Sequence, residues 1–140
     1  MSEKISVELG NELEELGRMG QIIDEFCESN RLTADTGFAL NLSLEEILTN
    51  VIKYAYDDDD KHTILVRLHL NEGEVYMEVE DDGRPFNPLE SETPDIHAPL
   101  DERPLGGLGI HLVKHHVDSL RYMRKNERNL LVITKKANAN

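Results

Sequence analysis

With 140 residues and 39% hydrophobic side chains, the chain is long enough for one core and too short for two independent ones, so a single domain over residues 1–140 is expected. Its formal net charge of −13 disfavours nonspecific attraction to nucleic acid or to an anionic membrane. No run approaches the roughly 20 apolar residues of a membrane helix, the opening MSEKISVELG lacks the charged-then-apolar order of a secretory signal, and the lone Cys27 excludes an internal disulfide, all of which points to the cytoplasm.

Lys4 to Leu9 alternate polar and apolar residues, which predicts a short strand with Ile5, Val7 and Leu9 on its buried face. From Asn11 onward Leu13, Leu16, Met19, Ile22, Ile23 and Phe26 recur every three or four residues, predicting an amphipathic helix capped by Asn11 and ending near Asn30. A second helix is expected from Thr33 or Ala34 to Tyr56, with an apolar stripe of Phe38, Leu42, Ile47, Leu48, Val51, Ile52 and Ala55. Four consecutive aspartates, Asp57 to Asp60, repel one another and stop it in a solvated loop.

Thr63 to Leu70 and Glu74 to Glu80 both alternate and flank Asn71-Glu72-Gly73, the signature of a hairpin. Residues 85–104 hold all five prolines and little periodicity; a stretch of this length inside a compact domain is more often a functional lid than a connector, here placed at 87–105. Gly106-Gly107-Leu108-Gly109 then opens a helix running to about Ser119, and two strands near Leu120 to Lys125 and Asn129 to Lys135 finish the pattern. Charge is uneven along this order: residues 1–110 carry 8 Lys/Arg against 26 Asp/Glu, and residues 111–140 carry 7 against 2. An acidic chain that binds a polyphosphate needs a divalent cation and helix N-termini to offset the repulsion.

Three segments carry chemistry. Asn50 follows Glu46 by four residues, and Lys53 and Tyr54 follow Asn50 by three and four, which places them on one polar face of the second helix. The Asn50 amide oxygen is a hard neutral ligand suited to Mg²⁺, and Glu46, one turn earlier, can deprotonate a hydroxyl nearby. Asp81-Asp82-Gly83 closes an alternating strand, where a carboxylate can accept a hydrogen bond from an exocyclic amine and Gly83 permits close approach of a ligand. Gly107 and Gly109 let backbone N–H groups turn toward a phosphate at a helix N-terminus. This last segment lacks the Lys-Ser/Thr of a Walker A loop and does not follow a strand as a dinucleotide fingerprint would. Each segment taken singly also fits a surface face, a turn or a hinge. The histidines lack metal-ligand context: His111 and His115 share a helix face, but two histidines alone do not make a zinc site.

In their order, Glu46-x-x-x-Asn50 on a helix, a hairpin, Asp81-x-Gly83 at a strand end, a proline-rich stretch and Gly107-x-Gly109 opening a helix resemble the N, G1 and G2 boxes of the histidine-kinase-like (GHKL, Bergerat) ATPases. The resemblance implies a two-layer α/β sandwich, with three helices on one face of a mixed, mostly antiparallel sheet, binding ATP and Mg²⁺. It implies that Asn50 carries the Mg²⁺, Asp81 binds the adenine amine, Gly83 lines the base, and Gly107, Leu108 and Gly109 serve the phosphates with Lys53 nearby. Thr134 looks like the last-strand threonine that supports the adenine-binding carboxylate. Thr49, Lys53, Ala55 and Tyr56 together with Asp82-Gly83-Arg84-Pro85-Phe86 look most like the anti-sigma-factor serine kinases. That likeness implies Glu46 as general base toward a serine of a STAS-domain anti-anti-sigma protein, a sigma factor held by a basic residue such as Arg18, and a homodimer formed through the first strand and helix. Pro85 departs from the family pattern, standing where a second glycine is usual. A non-catalytic nucleotide-gated switch and a scaffold that no longer binds ATP remain alternatives; direct nucleic-acid binding fits worst.

Overall fold

Period-two alternation in the sequence becomes one buried sheet face. Val7 and Leu9, Ile64, Val66 and Leu68, Val75, Met77 and Val79, and Leu131 and Ile133 all point the same way and are buried. The computed structural model describes residues 3–90 and 107–137. Its strands are β1 (Glu3–Gly10), β2 (Thr63–Asn71), β3 (Glu74–Asp81), β4 (Ser119–Lys125) and β5 (Arg128–Lys136), in the spatial order β1-β2-β3-β5-β4. All four pairings are antiparallel, so the sheet carries no parallel pair among the described residues. Both hairpin turns place their central residues in the left-handed region, Glu72 and Gly73 at φ 52° and 78°, Asn126 and Glu127 at 54° and 63°. That geometry matches the right-handed twist of the strands they join.

Three helices cover the sheet: α1 (Glu15–Ser29), α2 (Ala34–Asn50) and α3 (Gly107–His116). Met19, Ile23 and Phe26 of α1 meet Leu40, Leu44, Ile47 and Leu48 of α2 above the sheet's apolar face, forming one core cluster that also takes Ile110 of α3. Thr33 caps α2 by accepting from the Thr36 N–H. None of the described helices is long and apolar enough to cross a membrane.

Four expectations change. Asn11 does not cap α1; its amide accepts from His62 N–H and donates to Asp60 C=O, holding the aspartate loop across the strand end, and α1 starts four residues later after a turn at Glu12 to Leu16. The second helix is not α-helical to Tyr56: at Asn50 it widens into a π turn, Val51–Ala55. Phe38 is 58% exposed rather than core, and its ring meets His116 of α3 edge-on. Leu13, expected on the first helix's buried stripe, is 49% exposed. Of the expected lid at 87–105, Pro88–Glu90 form a short 3-10 turn and residues 91–105 lie outside the described residues.

Candidate functional site

The site begins where α2 ends. Glu46 and Asn50 lie one turn apart, and the Asn50 amide nitrogen donates to Glu46 Oε1 at 3.3 Å. Asn50 is buried, and that bond leaves its amide oxygen without a protein partner among the described residues. Partial burial pushes the Glu46 carboxyl above its ordinary range, opposed by the Asn50 hydrogen bond, raised further by the charge of Glu45 and lowered by that of Lys53. Lys53 itself is exposed on the π turn. Single π turns inside helices recur at functional sites because they re-aim side chains by adding a residue to one turn.

Asp81 sits at the buried end of β3, 2% exposed. Burial raises its carboxyl above the usual aspartate range; the Asn129 amide and the Gly83 N–H, both bound to Oδ1 at 2.9 and 2.8 Å, pull it back. Both bonds use Oδ1, and among the described residues none binds Oδ2, which can accept from a ligand. Val51, Val79, Phe86, Pro88, Tyr122 and Leu131 line, with Asp81 and Asn129, a cavity of about 10 Å³, a carboxylate and an amide among apolar walls. The composition suits an amine-bearing aromatic base, and the space as it stands holds about one water, so a base would enter only by displacing part of this wall. Val51 of this lining follows Asn50 directly in the chain, while Glu46 and Asn50 are not themselves among the lining residues.

Gly83 is required by a close approach, but to protein rather than to a ligand. A Cβ there would lie 2.4 Å from the Ala55 carbonyl oxygen. The next residue exploits the contact: Arg84 N–H donates to Ala55 C=O at 2.8 Å and its guanidinium to Tyr54 C=O at 2.8 Å, satisfying carbonyls left open at the end of the π turn. Gly107, Leu108 and Gly109 form the first turn of α3, which packs against α2. Their N–H groups are among those a helix start leaves without intrahelical partners.

Thr134 is not part of the pocket. Its register partner is Tyr76, whereas Asp81 pairs with Asn129; five residues apart on β5, Thr134 and Asn129 project to opposite faces of the sheet. The Thr134 hydroxyl bonds instead to Ser119 on the open face. Asn129 therefore stands where the carboxylate's support was expected. Sequence reading passed over it because nothing local marks an asparagine near a turn as the partner of an aspartate 48 residues away.

A larger cleft, about 560 Å³, opens beyond Gly83, with Tyr56, Asp58, His62, Asp82, Arg84, Arg124 and Arg128 among its lining. Its guanidiniums are already bound, Arg84 to Tyr54 C=O, Arg124 to Gly83 C=O and Asn129, and Arg128 to Glu80. Among the described residues no three His, Cys, Asp or Glu side chains gather as a metal cage. A metal at this site would be held by the Asn50 oxygen together with oxygens of its ligand, as suits Mg²⁺.

Comparison with known proteins gives the same frame. The chain is 29% identical over 112 residues to the serine/threonine-protein kinase BtrW of Bordetella bronchiseptica, covering 80% of this chain and 79% of that protein. It is 26% identical over 100 residues to an anti-sigma F factor of Clostridium perfringens, covering 71% of each. Its fold superposes on the crystal structure of the RsbU and RsbW domains of Rv1364c from Mycobacterium tuberculosis with a TM-score of 0.71 at 15% identity, over 99% of this chain and 34% of that one, a likeness of fold. The family model for the histidine kinase-like ATPase domain matches residues 9–135, a span that contains Glu46, Asn50, Asp81 and the start of α3, and the chain belongs to that family.

Proposed function

We propose that the chain is an ATP-dependent protein serine/threonine kinase acting as an anti-sigma regulator, which phosphorylates a serine of a STAS-domain anti-anti-sigma protein. The observation that carries this reading is the hydrogen-bonded Glu46–Asn50 pair, with the Asn50 amide oxygen unpartnered among the described residues, one residue before Val51 of the Asp81 pocket. In it, Asp81 Oδ2 accepts from the adenine amine, the apolar walls hold the ring, and the α3 N-terminus with Gly107, Leu108 and Gly109 faces the phosphates. Asn50 would hold Mg²⁺ against phosphate oxygens, supplying the positive charge that an acidic chain lacks there. Glu46 takes the proton from the serine hydroxyl as its oxygen attacks the γ-phosphorus and ADP departs; its raised proton affinity suits a base. Lys53, exposed one turn on, adds positive charge near Glu46. A homodimer through β1 and α1 and a sigma-factor contact at Arg18 complete the reading: β1 is an edge strand, and Arg18 is exposed on α1. The functional unit in this proposal is residues 1–140, with the lid at 87–105.

The test is transfer of labelled phosphate from ATP to a STAS-domain protein, with nucleotide affinity measured in parallel. E46Q is expected to bind Mg-ADP like the wild type and to transfer phosphate about 10²- to 10⁴-fold more slowly. Equal transfer by E46Q removes Glu46 from the mechanism. Nucleotide binding without transfer by the wild type leaves a nucleotide-gated switch in place of the kinase.

A further inference from the structure

Asn129 is 3% exposed and uses both ends of its amide. Its nitrogen donates to Asp81 Oδ1 at 2.9 Å and to Arg84 C=O at 2.8 Å. Its oxygen accepts from Phe86 N–H at 3.3 Å, from an Arg124 guanidinium nitrogen at 3.0 Å and from the Tyr122 hydroxyl. Two acceptors face the nitrogen and three donors face the oxygen, so turning the amide over would set like against like at every contact except that with the Tyr122 hydroxyl, which can also accept. One side chain on β5 thus reaches the base carboxylate and the backbone of the segment that brings Phe86 into the pocket wall. Arg124 reinforces it by donating to Gly83 C=O, in the same segment.

We infer that Asn129 is the positioning residue of the base pocket, fixing the acceptor oxygen of Asp81 and the Arg84-to-Phe86 backbone through one amide. The inference rests on the reading of Asp81 as the base-binding carboxylate. It makes recognition of the base and placement of the pocket wall a single event, because loss of the amide releases both.

Two variants separate the two ends. N129D keeps the accepting oxygen and replaces the donating nitrogen with a second acceptor facing Asp81. N129V removes both ends. Calorimetry with Mg-ADP between pH 5.5 and 8, and hydrogen exchange at the Phe86 amide without nucleotide, read the result. The other charged or titratable groups facing Asp81 are Asp82 beside it, Arg124 of β4 and the Tyr56 phenol, and all are unchanged in both variants. Wild-type affinity is expected to fall toward acid, as the carboxylate takes up a proton. N129D is expected to bind about tenfold to a hundredfold more weakly at pH 8 and to recover as pH falls, since two facing carboxyls come to share one proton and the donor to Asp81 returns. Its Phe86 amide stays protected, whereas N129V binds weakly throughout and exchanges that amide faster. An N129D profile parallel to the wild type overturns the inference, and so does unchanged Phe86 exchange in a folded N129V. If N129V fails to fold, the isosteric N129D profile decides alone. Wild-type protein that binds no Mg-ADP refutes the reading of Asp81 instead, while Phe86 exchange still reports on the amide's hold on the segment.

Discussion

Asp81 shows how a single residue can trade stability for recognition. Its carboxylate is desolvated, and burial is the largest influence on it, so its pKa in the folded chain lies above that in the unfolded chain. A carboxyl raised in this sense weakens the fold once pH is above its folded pKa; stability is regained as pH falls from there to the unfolded value. D81N would keep an oxygen for the Gly83 N–H and the Asn129 amide while presenting an NH₂ where Oδ2 stands. At pH 7 its melting temperature should equal or exceed that of the wild type, and the advantage should shrink in acid where the wild-type side chain is neutral. Its Mg-ADP affinity should collapse, because a donor then faces the donor of the base amine. Thermal unfolding at pH 4 and pH 7 beside calorimetry checks both. A melting temperature several degrees below wild type at pH 7 would make Asp81 a structural group instead of a recognition group.

At the scale of elements, the junction of the π turn with the end of β3 is the tightest in the site. In G83A the new Cβ would stand 2.4 Å from the Ala55 oxygen and 2.9 Å from both its carbonyl carbon and its Cβ. Two of those three atoms are backbone and cannot rotate away, so the Arg84-to-Ala55 hydrogen bond has to open. The expected cost is about 1–3 kcal/mol, read as a lower denaturation midpoint. A55G deletes only the side-chain contact and should not rescue G83A; rescue would mean that the Ala55 methyl, and not its carbonyl, is the obstacle. This junction also marks where sequence reading stops. The strands and helices were legible because period-two and period-3.6 patterns are local, and Val7, Val66, Met77 and Ile133 fall where alternation puts them. The order of Glu46, Asn50 and Asp81 was read differently, from its resemblance to the boxes of the histidine-kinase-like ATPases. The roles of Asn11, Gly83 and Asn129 were not, since their partners lie 28 to 51 residues away and an ordinary Asn or Gly gives no sign of them. Thr134 misled because the last strand was read without its register; counting alternation from Asn129 sets it on the open face.

Across the whole molecule, charge opposes itself. The net charge of −13 acts over the entire surface, while the chief compensation on the open face of the sheet is a ladder in which Arg67 meets Glu78 and Glu80 at 3.2 and 3.1 Å and Arg128 meets Glu80 at 2.7 Å. Glu80, facing two guanidiniums, is held below the ordinary glutamate range despite its partial burial. Partly exposed pairs of this kind are worth about 0–1 kcal/mol each, and salt weakens them; it also screens the general repulsion, with a Debye length near 10 Å at about 0.1 M. The two effects oppose each other, and the imbalance of 28 acidic to 15 basic side chains decides for the repulsion. Raising KCl from about 0.02 to about 0.3 M at pH 7 should therefore raise the melting temperature. A fall would mean that the ladder outweighs the net charge. MgCl₂ at equal ionic strength should match KCl while nucleotide is absent, because no described cluster of carboxylates or histidines can capture the ion. With ADP present Mg²⁺ should exceed KCl, since the Asn50 oxygen then shares the ion with phosphate oxygens and binding to the folded state alone adds its free energy to stability. A Mg²⁺-specific rise without nucleotide would show that the chain holds the ion by itself and that Asn50 is not its principal ligand.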